Sequence, residues 1–229
     1  MLFGGWQKFS AIDYPGKAST IVFTQGCPFR CPFCHNPELV DPEKFEAPID
    51  EAEIFEFLNR RKGRLDAVVI TGGEPTMQKG LLKFMEKIKV MDYLIKLDTN
   101  GSHPDVLNKV LQSGMVDYLA MDIKSPMDKY QVHTVSKIQE EKIRNSISLV
   151  MASKLPYEFR TTVVKEQLNL ADLLAIGEMI QGAELYILQK FNPQKTLDIN
   201  YQNATSYTDE EFDELVKKLS GIVKKVEWR

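Results

Sequence analysis

The stretch Ala67-Val68-Val69-Ile70-Thr71-Gly72-Gly73-Glu74-Pro75 decides the fold. Its first half is rich in β-branched side chains and reads as a strand, and the Gly-Gly pair reads as a turn at the strand's end. The segment beyond it carries Leu81, Leu82, Met85 and Ile88 on one stripe, the spacing of an amphipathic helix. A strand that feeds a helix in this way is half of a βαβ unit, and the same pairing recurs on both sides of it.

Upstream, Thr20–Thr24 is followed by a helical segment over 50–61. There Asp50 and Glu53 form a capping-box-like pair, and Ile54, Phe55 and Leu58 share a face. Downstream, Tyr93–Asp98, Tyr118–Ile123, Glu158–Val164 and Glu184–Gln189 are further β-rich runs. The helix after the first of these starts at Pro104 and stops at Gly114. The next carries Ile143, Ile147, Val150 and Met151, and the one after it Leu170, Leu173, Leu174 and Ile180. The last begins at Thr208, with Glu211 three residues on, and ends before Gly221. Six such units imply an α/β fold with a mostly parallel sheet, either open and doubly wound or an incomplete barrel. In both, functional residues belong at the C-terminal ends of the strands.

The chain has 229 residues, of which 43% are hydrophobic and 27% charged, so it can bury one sizeable core. A single domain over 1–229 is expected, with its core at about 18–193 and a C-terminal helix and tail over 205–229. The formal net charge of −3, without a basic stripe, gives nucleic-acid binding no electrostatic support. No apolar run reaches the roughly 18 residues of a membrane span. The N-terminal MLFGGWQKFSAIDYPGK lacks the basic-then-apolar order of a secretory signal, so a cytoplasmic protein is expected.

All 3 cysteines lie in Cys27-Pro28-Phe29-Arg30-Cys31-Pro32-Phe33-Cys34. An odd number packed so tightly is a poor disulfide framework and points to metal or redox chemistry. Iron–sulfur clusters normally take four thiolates, so three would leave one iron open to the amino and carboxylate groups of a small molecule. The alternative is a zinc set of Cys27, Cys31, Cys34 and His35. Adjacent Cys34 and His35 converge awkwardly on one ion, and the spacing favours the cluster.

Polar residues crowd the strand ends: Gln25-Gly26-Cys27, Thr71–Pro75, Asp98-Thr99-Asn100-Gly101, Asp122-Ile123-Lys124 and Gln189–Pro193. Each alone has an ordinary account as a turn or cap. Together, beside a three-cysteine loop, they mark one functional rim.

The Cys-x3-Cys-x2-Cys spacing, with Phe33 just before the third cysteine, resembles the signature of the radical S-adenosylmethionine (SAM) superfamily, and Gly72-Gly73-Glu74-Pro75 fits it too. Ser10–Gly16, Gln25-Gly26-Cys27, Cys34-His35-Asn36, Asp98–Gly101 and Asp122–Lys124 are similar to the glycyl-radical-enzyme activating enzymes. Within that group, the chain most resembles the anaerobic ribonucleoside-triphosphate reductase activating proteins, from Gly5 to about Pro193.

The resemblance implies a partial (β/α)6 TIM-like barrel of radical SAM type, holding one [4Fe–4S] cluster on Cys27, Cys31 and Cys34, with SAM at its open top. It places the Phe33 backbone at the adenine edge and the Gly72-Gly73-Glu74 turn on the methionine ammonium. Asp98 and Asp122 would position the cofactor or a nearby cation, and Lys124 would face the methionine carboxylate. Asn192 stands where pyruvate formate-lyase activators carry a histidine, and is expected beside the cofactor. The implied reaction is reductive cleavage of SAM to a 5′-deoxyadenosyl radical, which takes hydrogen from a backbone glycine of a large partner. The expected partner is anaerobic ribonucleotide reductase, with flavodoxin or ferredoxin as the low-potential electron donor. Activation of pyruvate formate-lyase, or small-molecule chemistry of the 7-carboxy-7-deazaguanine synthase type, are the alternatives.

Asp13, Tyr14 and Gln189–Pro193 are expected on the rim that meets the partner's loop. His35 fits either a donor to the cluster's surroundings or a helix start. His103 reads as a helix-cap neighbour, His133 as solvated, and most of the 9 methionines as core, with Met77 near the Gly-Gly-Glu turn.

Overall fold

A computed structural model describes residues 1–229. Eight strands lie side by side in chain order: β1 (Phe3–Tyr14), β2 (Lys17–Thr24), β3 (Ala67–Gly72), β4 (Leu94–Thr99), β5 (Tyr118–Asp122), β6 (Tyr157–Val163), β7 (Tyr186–Lys190) and β8 (Val226–Trp228). The helices are α1 (Pro37–Val40), α2 (Glu51–Arg60), α3 (Leu81–Val90), α4 (Pro104–Gln112), α5 (Tyr130–Thr134), α6 (Glu140–Ala152), α7 (Leu170–Met179) and α8 (Asp209–Leu219). Strands β2 to β8 pair in parallel, and β1 pairs antiparallel with β2.

All six expected strands form. The first reaches back to Lys17, because its N-terminal half pairs with β1. The two strands missing from the sequence reading have physical reasons to hide. β1 carries Gly4-Gly5, and its register shifts between Phe3 and Gly5, Gln7 and Ser10, and Ser10 and Tyr14, so its alternation is broken. β8 spans only three residues.

The sheet is curled. The rings of Tyr14 on β1 and Tyr118 on β5 lie 5.6 Å apart, although a flat sheet would hold strands four places apart at about 19 Å. The helices cover the outside. Ile54 and Leu58 of α2, Phe84 and Ile88 of α3, and Ile143 and Val150 of α6 are fully buried against the sheet. Each such side chain contributes about 1.5–3 kcal/mol of burial. Thr208 and Glu211 form the expected capping box on α8. Asp50 caps α2 by accepting from the Ala52 N–H at 2.9 Å, without a reciprocal bond from Glu53. No helix is long and apolar enough to cross a membrane.

The register corrects one expectation. Phe3 pairs with Thr24 at the C-terminal end of β2, and Tyr14 pairs with Lys17 at its start. The turn through Gly16 (φ +69°) therefore lies at the opposite end of the barrel from the cysteines. Tyr14 is buried there with Ile21, Ala67 and Tyr118, and the Ser10 hydroxyl accepts from the Ile12 and Asp13 N–H groups. Asp13 and Tyr14 close the floor of the barrel; they are not on the rim.

Candidate active site

The Gly-Gly turn is there to touch the cysteine loop. The Gly73 N–H donates to Thr24 O at 2.8 Å, and the Glu74 N–H to Gly26 O at 2.8 Å. A Cβ on Gly73 would stand 2.1 Å from Gly26 O, and one on Gly72 2.2 Å from Thr24 N; Gly72 also has φ +113°. Only glycine permits this approach. Gln25, just before Gly26, is fixed on three sides: its N–H donates to Leu2 O, its Nε2 to Glu46 O, and its carbonyl accepts from Gln78 Nε2.

The loop from Cys27 to Cys34 has no regular structure but is tied down throughout. Arg30 Nη1 donates to Cys27 O at 2.7 Å and to Phe29 O at 2.9 Å. The Arg30 N–H reaches Thr134 O at the end of α5, and Phe29 packs against Tyr130 of α5. On the other side the Asp198 N–H donates to Pro32 O at 2.9 Å. Such bonds replace the ladder that a loop lacks and fix where the thiols point.

Glu74 is buried and joins the loop after β3 to the loop after β4. Oε1 accepts from the Thr76 N–H (3.0 Å), Thr76 Oγ1 (2.5 Å) and Thr99 Oγ1 (2.7 Å), and Oε2 accepts from the Asn100 N–H at 2.6 Å. Burial raises its pKa above the usual carboxylate range, against the pull of these bonds. Oε2 keeps one lone pair free for a cationic ligand.

Asp98 and Asp122 are held by cations. Arg160 Nε donates to Asp122 Oδ1 at 2.7 Å and its Nη1 to Asp98 Oδ2 at 3.1 Å, while Lys96 Nζ bonds Asp98 Oδ1 at 2.8 Å. Lys124 Nζ takes Asp122 Oδ2 at 3.0 Å. Burial opposes ionisation of both carboxyls. Arg160 and Lys96 outweigh it at Asp98, and Arg160 and Lys124 outweigh it at Asp122, so both pKa values fall below the usual range. Lys96 and Arg160 are site residues that the motifs in the sequence do not single out. Their signal was period two: Lys96 with Asp98, and Glu158 with Arg160 and Thr162, place charged and polar groups on one face of otherwise apolar strands.

These groups enclose a cavity of about 230 Å³ at the C-terminal ends of the strands. Cys27, Cys31, Cys34, Phe33, Gly72, Gly73, Glu74, Asp98, Asp122 and Lys124 all line it. Asn100, Arg160, Thr162 and Gln189 line it as well, as do His35 and Asn36. The three thiols fit the cluster rather than zinc. No three His, Cys, Asp or Glu side chains close on a single ion-sized point. His35 spends its Nε2 on Asn192 O at 2.8 Å and stacks its ring on Phe191 at 5.4 Å. Burial pushes the Cys31 thiol up to about 12 and raises Cys27 and Cys34 as well. A bound metal centre would be needed to hold such buried thiols as thiolates.

Asn192 is not brought into the cavity. Its Oδ1 caps the Gln194 N–H at 3.1 Å, and only its carbonyl takes part, through His35. His103 occupies the N-cap position of α4 and bonds Ser102 Oγ through Nδ1. His133 bonds Ser125 Oγ instead of standing free in solvent. Met77 is exposed just beyond the Gly-Gly-Glu turn.

The chain is similar to several known proteins. The radical SAM superfamily pattern matches residues 21–180. A Methanocaldococcus jannaschii protein named as a candidate glycyl-radical enzyme activating enzyme is 33% identical, over 94% of this chain and 90% of its own. The pyruvate formate-lyase-activating enzyme of Staphylococcus aureus is 36% identical over 42% of this chain and 37% of its own. Streptococcus suis SuiB bound to S-adenosylmethionine shares the fold, with a TM-score of 0.66 and 14% identity over 91% of this chain and 49% of that one. With three thiols, a Gly-Gly-Glu turn and a matching pattern over most of its length, the chain belongs to the radical SAM superfamily and is a radical SAM enzyme.

Proposed function

We propose that this chain is a glycyl-radical enzyme activating enzyme. In this reading it cleaves SAM reductively, and the 5′-deoxyadenosyl radical takes a hydrogen atom from a backbone glycine of a partner protein. The products are methionine, 5′-deoxyadenosine and a glycyl Cα radical. The observation that carries the reading is the meeting of all three thiols with the Gly-Gly-Glu turn in one cavity.

When bound, a [4Fe–4S] cluster supplies the single low-potential electron that breaking the sulfonium carbon–sulfur bond requires. Cys27, Cys31 and Cys34 would hold it. The Gly72-Gly73 backbone and the free lone pair of Glu74 Oε2 would receive the methionine ammonium, and Lys124 its carboxylate. Phe33, buried beside Cys34, would meet the adenine edge through its backbone. Asp122 keeps Lys124 charged and aimed inward. The walls of the cavity would help keep water from the radical.

A protein substrate is supported by exposed apolar side chains near the cavity. Of the nine large apolar side chains that stand exposed, six belong to segments joined to the loops that build the cavity: Leu2, Phe45, Met77, Val132, Val135 and Ile199. Leu2 is tied to Gln25, Met77 follows Glu74, and Phe45 precedes Ile49, whose N–H bonds Phe3 O. The α5 end carrying Val132 and Val135 bonds Arg30, and Ile199 follows the Asp198–Pro32 contact. Exposed apolar side chains gathered near a site favour a protein contact there. The large partner is taken to be anaerobic ribonucleotide reductase, on the run Leu188–Pro193, with flavodoxin or ferredoxin as electron donor.

The test is anaerobic reconstitution with iron, sulfide, SAM and a reductant, followed by addition of the reductase or of pyruvate formate-lyase. Release of 5′-deoxyadenosine and a glycyl doublet by EPR on the reductase is the expected result. A doublet on the lyase alone reassigns the partner. Deoxyadenosine without any protein radical rejects the activating role.

A further inference from the structure

Asn100 touches both loops that build the cavity. Its backbone N–H donates to Glu74 Oε2 at 2.6 Å, its Oδ1 accepts from the Ser102 N–H at 3.0 Å, and its Nδ2 stands 3.5 Å from the Cys27 sulfur. These contacts settle the carboxamide's direction. The Ser102 N–H needs an acceptor, so Oδ1 faces Ser102 and the NH2 group faces Cys27. Asn100 is buried, so this orientation does not compete with solvent.

We propose that Asn100 is a positioning residue that donates its side-chain N–H to the Cys27 thiolate and thereby raises the reduction potential of the cluster that thiolate holds. The inference rests on the reading that Cys27, Cys31 and Cys34 ligate a [4Fe–4S] cluster. Reduction adds one electron, and its charge spreads onto the ligating sulfurs. A hydrogen bond to sulfur stabilises that electron-rich state more than the oxidised one.

The surroundings make Cys27 the sulfur where this matters. The Lys124 cation acts on Cys31 and Cys34, whereas Cys27 feels the Glu74 carboxylate. The Phe29 backbone N–H also reaches the Cys27 sulfur, and Asn100 is the side chain that donates to it. Asn100 therefore sets a neutral donor against the Glu74 carboxylate, while its own backbone N–H holds that carboxylate in place. The same residue fixes the Gly-Gly-Glu turn and the electronics of the first thiolate, which couples the SAM-binding turn to the cluster.

The test uses Asn100→Ser and Asn100→Asp in the full chain. Ser keeps a short oxygen acceptor for the Ser102 N–H but cannot reach Cys27. Asp keeps the same acceptor and turns an anionic oxygen toward the sulfur. Each protein is reconstituted to equal iron and sulfide content without SAM, and its midpoint potential is read by EPR-monitored titration with dithionite and mediators. At the wild-type midpoint, the reduced-to-oxidised ratio should fall several-fold in the Ser variant. In the Asp variant it should fall about tenfold or more, which is about 59 mV for a one-electron couple. The order wild type, Ser, Asp in falling potential is not what a purely structural role produces. Unchanged potentials at full cluster content would overturn the inference and leave the cluster assignment standing. A wild-type chain that assembles no cubane would overturn both.

Discussion

Arg160 Nε stands 2.7 Å from Asp122 Oδ1, deep in a barrel whose outer wall is apolar. The same guanidinium reaches Asp98, so it is the cation shared by β4 and β5. Removing one partner of a buried pair costs about 3–5 kcal/mol, because the charge left behind has no water. Arg160→Met should lower the urea midpoint of the cluster-free chain, but by less than a lone buried charge would, because Asp98 keeps Lys96 and Asp122 keeps Lys124. It should also weaken SAM binding several-fold, because Lys124 becomes the sole cation on Asp122 and is less free for a ligand carboxylate. A variant with unchanged midpoint and SAM affinity would show that the guanidinium does neither.

The pH dependence follows from Asp98. Its pKa in the folded chain lies below the unfolded value of about 3.9, through Arg160 and Lys96. A depressed carboxyl contributes stability that is present above the unfolded value and is lost as pH falls through the folded one. The stability difference between wild type and Asp98→Asn should thus stay level from neutral pH to about pH 5, then shrink below about pH 4. Urea titrations at several pH values measure it. A difference that grows on acidification has the wrong sign for this account.

Gly73→Ala tests the contact between the two loops. Its Cβ would meet Gly26 O at 2.1 Å, and the obstacle is backbone, so the turn must move away from the cysteine loop. Overpacking of this kind costs about 1–3 kcal/mol. The larger effect should be on function: iron retained per chain and SAM affinity should both drop, because Cys27 follows Gly26 directly. Full iron content with normal SAM binding would mean that the close approach is dispensable.

The parts of this molecule that announced themselves in the sequence were those with local signatures. β-branched runs ending in Gly-Gly or Asn-Gly, the Thr208–Glu211 cap, and three clustered cysteines each carry their own signal within a few residues. What stayed hidden depends on partners distant in the chain. Arg160 looks like an ordinary strand charge until the curl brings β6 toward Asp98 on β4. Asn192 is expected beside the cofactor because related activators carry a histidine there, but its side chain turns back to cap Gln194. The floor position of Tyr14 rests on the antiparallel β1, whose broken register erased the alternation that would have revealed it.

That floor position gives a prediction separable from all chemistry at the rim. Tyr14 is buried against Tyr118, Ile21, Ala67 and Val69 at the N-terminal ends of the strands. No hydrogen bond engages its hydroxyl, so Tyr14→Phe should leave stability almost unchanged. Tyr14→Ala removes a ring from a closed site and should cost about 3–5 kcal/mol. In both variants the folded fraction should cleave SAM and activate a partner at the wild-type rate, because the cavity lies at the far end of the barrel. Stability from chemical denaturation, set beside deoxyadenosine formation per folded chain, separates the two effects. A Tyr14→Phe variant that folds normally yet fails only with the protein partner would return this residue to the partner interface.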